Sequence, residues 1–149
     1  MASRVVGIVF YIRNNLRLVF YHLILLLLIA AAGYGLWRAG VDTFHMIGWF
    51  PAVIVPGSFV IGLLLTPHRK ALGNVLSTLS LLIISLLLYP VYALHDLALD
   101  AIYMYGLFHL PYAWLPLVDS FHAVNVLLIT LLPFLAATLG IFVKRRLVR

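Results

Sequence analysis

The chain has 149 residues, 65% of them hydrophobic and 9% charged, with a formal net charge of +6 and no cysteine. Soluble domains carry about 25% charged and roughly 45–50% apolar residues, so this composition and a mean hydropathy of 1.15 exclude a water-soluble globular protein. The missing cysteines exclude disulfides, thiolate metal sites, CxxC redox chemistry and palmitoylation.

At about 20 residues per crossing, a chain of this length has room for four spans and no separate soluble domain. Residues 1–149 are therefore read as one all-α polytopic membrane domain, taken here from the N-terminus. Over residues 3–15, Arg4, Gly7, Tyr11 and Asn14/Asn15 recur at spacings of three and four while Val5, Val6, Ile8, Val9, Phe10 and Ile12 fill the other face. That pattern predicts a short helix lying in the cytoplasmic interface, with an N-terminal extension of the first span as the alternative. The first span follows at about 18–37. It is longer than the apolar core of a secretory signal and ends in Trp37-Arg38 without a small-residue cleavage pattern, so it is expected to remain in the mature protein.

The second and third spans are expected at 46–66 and 72–94 and the fourth at 121–143, each long enough for ~30 Å of hydrocarbon. Pro51, Pro56 and Gly57 mark the second as a candidate for kinking, and Ser77, Thr78, Ser80 and Ser85 give the third its interhelical hydrogen-bond donors. Between the third and fourth spans, residues 95–118 combine apolar side chains with Asp96, Asp100, His109 and an aromatic set that includes Tyr103, Tyr112 and Trp114. Amphipathic aromatics favour the headgroup level, so this segment is read as an outer amphipathic helix. A re-entrant dip is the alternative, and its aromatic face, Trp114 included, is a candidate docking surface for a partner subunit.

Charge fixes the orientation, because short loops rich in Lys and Arg stay cytoplasmic. With four spans, nine of the ten basic residues fall on one side, Arg38 alone falls on the other, and Asp42, Asp96, Asp100 and Asp119 all join Arg38. Both termini are thus expected in the cytoplasm, with a bacterial inner membrane as the setting. The basic charge is accounted for by topology and anionic lipid, which argues against nucleic acid as a partner.

Two pentapeptides repeat: Val41-Asp42-Thr43-Phe44-His45 and Val118-Asp119-Ser120-Phe121-His122, each followed eleven residues after its His by a proline, Pro56 and Pro133. Both stand at the outer start of a descending span, so the chain has the pattern of two tandem helical hairpins. Asp followed by Thr or Ser caps a helix start and meets its positive dipole end, which gives the repeat a purely structural explanation. Asp42/His45 and Asp119/His122 also share helix faces at i, i+3. If the two faces converge they make a candidate His/Asp site for haem, through His45 and His122, or for a divalent metal, through all four residues.

Ala31/Gly35 and Ala136/Gly140 are small-xxx-small pairs that allow close helix approach, within the bundle or against other subunits. His22 is expected to play an interfacial structural part, and the cytoplasmic side carries no evident site. No GxSxG, HExxH or phosphate loop occurs, and no carboxylate pair lies within a span. The expected function is therefore a non-catalytic membrane subunit, without a cofactor, serving the structure or assembly of a larger homo- or hetero-oligomeric complex of the secretion, conjugation or energy-transducing kind. The alternatives are an electron-transfer anchor built on the outer His/Asp site and a small oligomeric channel or transporter.

Overall fold

The computed structural model describes residues 2–41, 43–93 and 123–148, and side-chain surroundings over 7–41, 53–87 and 131–148. Five helices account for most of these residues and no strand occurs among them: α1 (Ala2–Arg38), α2 (Thr43–Leu64), α3 (Ala71–Leu76), α4 (Leu79–Ala93) and α5 (Ala123–Leu147). One helix among the described residues, Gly7–Arg38 within α1, is long and apolar enough to cross a membrane, with a window of mean hydropathy 2.1; Val53–Leu64 of α2 is a shorter apolar helix.

Helix α1 corrects the expectation of a separate interfacial helix over 3–15. No Gly or Pro separates Asn15 from Leu18, and the two asparagines bond to other helices instead of ending α1, so the segment is an N-terminal extension of one continuous helix. Its C-terminus has a clear cause. Gly40 takes φ 83°, and Val41 N–H donates to Leu36 O at 3.1 Å, the wrap-around bond that closes a helix through a left-handed glycine.

Helix α2 runs through both Pro51 and Pro56. The break falls instead in the third apolar stretch, at Ser77 and Thr78 between α3 and α4, so residues 72–94 are two helices and not one. The outer segment 95–118 lies outside the described residues.

A core of Leu18, Ile61, Leu65, Leu81, Ala137 and Ile141 joins α1, α2, α4 and α5. Helices α1 and α2 are antiparallel: Asn14 meets Thr66, and Leu25 lies over Gly57. Helices α2 and α5 run side by side in the same direction. Gly62 lies against Gly140, and one turn further along both helices Lys144 Nζ donates to Leu65 O at 2.8 Å. A Cβ on Gly62 would strike the Ala137 carbonyl and one on Gly140 the Phe59 carbonyl. The two glycines are thus what lets these backbones approach. These contacts gather Arg13, Arg17, Arg69, Lys70 and Lys144–Arg146 at one end of the bundle, called here the cationic end.

Candidate functional site

The organised polar chemistry of the described residues sits at the cationic end, where sequence reasoning saw no site. It is built on the α3–α4 break. A helix that stops leaves carbonyls and N–H groups to be paired, and several of those here find partners within the break or on α1. Ser77 N–H and its hydroxyl both donate to Gly73 O, while Thr78 N–H and its hydroxyl both donate to Val75 O. Leu76 O and Ser80 N–H would bond to each other in an unbroken helix. The Asn15 carboxamide takes their place from α1: Nδ2 donates to Leu76 O at 2.8 Å and Oδ1 accepts from Ser80 N–H at 2.8 Å. One side chain thus substitutes for a helix hydrogen bond by bridging both of its ends.

Asn14 works on the other side of α1. It is fully buried, and its Nδ2 donates to Thr66 O, just past the end of α2, at 2.8 Å and to Ser77 Oγ at 3.2 Å. The end of α2 is therefore tied by Asn14 at Thr66 and by Lys144 at Leu65. The connection from α2 to α3 is fixed by His68. Its N–H donates to Asn74 Oδ1 at 2.6 Å, and its Nδ1 accepts from Lys70 N–H at 3.0 Å. In the neutral ring that leaves the hydrogen on Nε2, which faces Tyr11 Oη at 3.4 Å. The imidazole lies against Gly73, with the Phe10 and Tyr11 rings each 5.6 Å away between centroids. Thr78 and Thr138 join the break to α5 through their hydroxyls at 2.8 Å.

The chemistry of this constellation is that of neutral amides, hydroxyls and one imidazole, arranged to pair backbone groups. It holds helix ends in place. No group of three or more His, Cys, Asp or Glu suited to a metal occurs among the described residues.

The sequence-derived site residues fall in different places. Asp42, Asp119, His122 and Trp114 lie outside the described residues, and so do the side-chain surroundings of His45. The proposed His/Asp site therefore has no described geometry. Ala31 and Gly35 are exposed, with nothing within 4 Å of a Cβ built on Gly35. Ala136 and Gly140 are buried, Gly140 directly on α2. His22 is buried on the inward face of α1 with Asn14, Leu18 and Leu26. Asn14 and Asn15, read from sequence as the polar face of an interfacial helix, are the residues missed. A signal was present: continuing the spacing of four from Asn14 gives Leu18, His22 and Leu26, a stripe carried straight into the first span.

Comparison with protein-family models, with curated proteins and with solved structures finds no match to this chain.

Proposed function

We propose that the chain is a non-catalytic integral membrane subunit that serves the structure or assembly of a larger membrane complex, with four spans and both termini on the cytoplasmic side of a bacterial inner membrane. The observation that carries this reading is an inside-out distribution of polarity. Asn14, His22, Ser58, Asn74, Ser77, Thr78 and Ser85 are buried, whereas Leu16, Leu27, Leu72 and Leu87 are each 67–68% exposed. In water such a surface would be an association liability; in hydrocarbon, polar side chains face the bundle interior and apolar ones the lipid.

The gathering of the described loop and terminal cations at one end supports the orientation. The subunit role is supported by the far part of α1. There Leu27, Leu28, Tyr34 and Trp37 are exposed beside Ala31 and Gly35, a surface suited to another helix as well as to lipid.

Native mass spectrometry of the protein, extracted from its own membrane in a mild detergent, tests the role. Co-purifying subunits are the expected result, and a lone chain would sink it. The topology is tested in parallel by single cysteines placed at Ser3, Arg69 and Arg38, which the cysteine-free sequence permits directly. The first two should be blocked from the cytoplasmic side only and Arg38→Cys from the outer side only.

A second reading, the haem- or metal-binding electron-transfer anchor, is favoured by one observation. Helices α2 and α5, which start within the first repeated pentapeptide and directly after the second, run in the same direction and pack against each other. A haem or metal mass on the isolated chain, lost in His45→Ala and His122→Ala, would establish it; unchanged cofactor content in both variants would discard these ligands.

A further inference from the structure

Helix α3 is six residues long and begins without the usual device, because Lys70, its N-cap residue, makes no side-chain cap bond and an ammonium has no acceptor to offer. A helix this short does not hold itself together in isolation. His68 supplies the contacts at its start. The imidazole Nδ1 accepts from Lys70 N–H at 3.0 Å, and Asn74 Oδ1 answers from within α3 by accepting from His68 N–H at 2.6 Å. The two bonds are reciprocal, in the manner of a capping box. The ring is also wedged against Gly73, where an added Cβ would strike Nδ1 itself, and it lies beside the Phe10 and Tyr11 rings of α1. One partly buried side chain thus joins the end of α2, the start of α3 and the first turns of α1.

The bond to Lys70 requires the neutral ring. Protonation places a hydrogen on Nδ1 and sets a donor against a donor, whereas Nε2, which faces Tyr11 Oη at 3.4 Å, keeps the hydrogen it already has. The groups around the ring offer the added charge no counter-ion. Helix α1 presents Phe10 and Tyr11, α3 presents Gly73 and Asn74, the neighbours in sequence are the cations Arg69 and Lys70, and Arg13, Arg17 and Lys144–Arg146 gather at the same end. The acids of the chain, Asp42, Asp96, Asp100 and Asp119, all lie outside the described residues. The Lys70 bond itself is exposed, so protons reach it from the medium. We propose that His68 is a pH-sensitive latch: neutral, it fastens the start of α3 to the end of α2; protonated, it releases Lys70 N–H and frees α3 to move. The fastened form belongs to the alkaline side and is lost as pH falls. The latch does not depend on the membrane reading.

The test places a nitroxide on a single cysteine in the full chain, at Ala71→Cys, an exposed position in the first turn of α3; the natural sequence has no cysteine to compete. In detergent micelles the electron paramagnetic resonance spectrum should be that of an ordered label near about pH 8 and gain a mobile component near about pH 5.5, across the range in which histidine ordinarily changes charge. The mobile population should rise about fivefold, the effect of losing one hydrogen bond of ordinary net strength, and should fall again when the alkaline pH is restored. The same label at Ala31→Cys, exposed and far along α1, should report no change. His68→Gln, whose amide oxygen accepts a bond and does not titrate, should keep the Ala71 label ordered at both pH values. Gly73→Ala, whose methyl displaces the ring without removing it, should leave the label mobile at both. Identical spectra of the natural chain at the two pH values would overturn the latch, and so would a pH response that survives in His68→Gln. Equal loosening at Ala31 would do the same, because the change would then be a general loss of packing.

Discussion

At the cationic end, α1 meets the other helices through polar side chains: Asn14 and Asn15 reach Thr66, Leu76, Ser77 and Ser80, all at 2.8–3.2 Å. Further along the same helix, Leu27, Leu28, Tyr34 and Trp37 are exposed and a Cβ on Gly35 would touch nothing. The same contrast separates the two small-residue pairs. Gly140 is pressed onto the backbone of α2, and Gly35 stands open. Identical local patterns thus have opposite fates, because what a small residue does depends on whether a second helix crosses at that height.

The contrast is broken most severely at the crossing itself. Gly62→Ala and Gly140→Ala each direct a methyl group into a carbonyl oxygen of the facing backbone, which has no rotamer with which to yield. Overpacking a core usually costs about 1–3 kcal/mol, and with main chain on both sides these two should reach the top of that range or beyond. Unfolding in detergent micelles measures it. A midpoint equal to that of the natural chain would mean that α2 and α5 are not in backbone contact at these glycines.

Next comes Asn15→Leu, which leaves Leu76 O and Ser80 N–H without their partner. A fully buried backbone group stripped of its bond costs about 1–3 kcal/mol, and because these two bonds are partly buried a loss of roughly 1–3 kcal/mol is expected for the pair in the same unfolding assay. Asn15→Asp sharpens the point: a carboxylate still accepts from Ser80 N–H but cannot donate to Leu76 O, so if the bridge acts at both ends it will not restore the stability of the natural chain. Equal stability of Asn15→Asp and the natural chain would limit the bridge to its Ser80 half.

Thr138→Val probes a smaller link, the 2.8 Å hydroxyl pair to Thr78. Interhelical hydrogen bonds in membrane proteins average about 0.6 kcal/mol, with a maximum near 1.7. The coupling energy from a double-mutant cycle with Thr78→Val should fall in that range, and zero coupling would make the contact incidental. Because Thr78 also bonds Val75 O, its single variant is expected to cost more than that of Thr138.

How far the sequence discloses this arrangement differs from residue to residue. The helical class, the placement of the apolar stretches and the cross-helix use of Ser77, Thr78 and Ser80 follow from hydropathy and from the need to pair hydroxyls away from water. The inward direction of Asn14 and Asn15 does not follow. Beside Arg13 and Arg17 they have the composition of a solvated face, and only the partner carbonyls at Thr66 and Leu76, far away in sequence, turn them inward. The break at Ser77 and Thr78 is equally silent, because neither residue is Gly or Pro while the two prolines of α2 leave that helix continuous. The Ser77 and Thr78 bonds at the break are local, but the Asn15 bridge across it comes from another helix, and a local pattern cannot contain that. The partnership of Gly62 with Gly140 likewise depends on a crossing geometry that spacing along one chain does not encode.

The smallest effect on stability, and the most informative for function, is expected from Gly35→Leu. Nothing lies within 4 Å of the new Cβ, and leucine forms helix more readily than glycine by roughly 0.5–1 kcal/mol. The isolated chain should therefore be unchanged or slightly more stable. If a partner helix seats on Ala31 and Gly35, the same leucine will hold it off, and subunits that co-purify with the natural chain will be lost while its own unfolding midpoint is kept. Gly140→Leu cannot make this distinction, since it disturbs the fold first. Undiminished co-purification with Gly35→Leu would move the search for the contact surface away from the open end of α1, to the aromatic segment at 95–118.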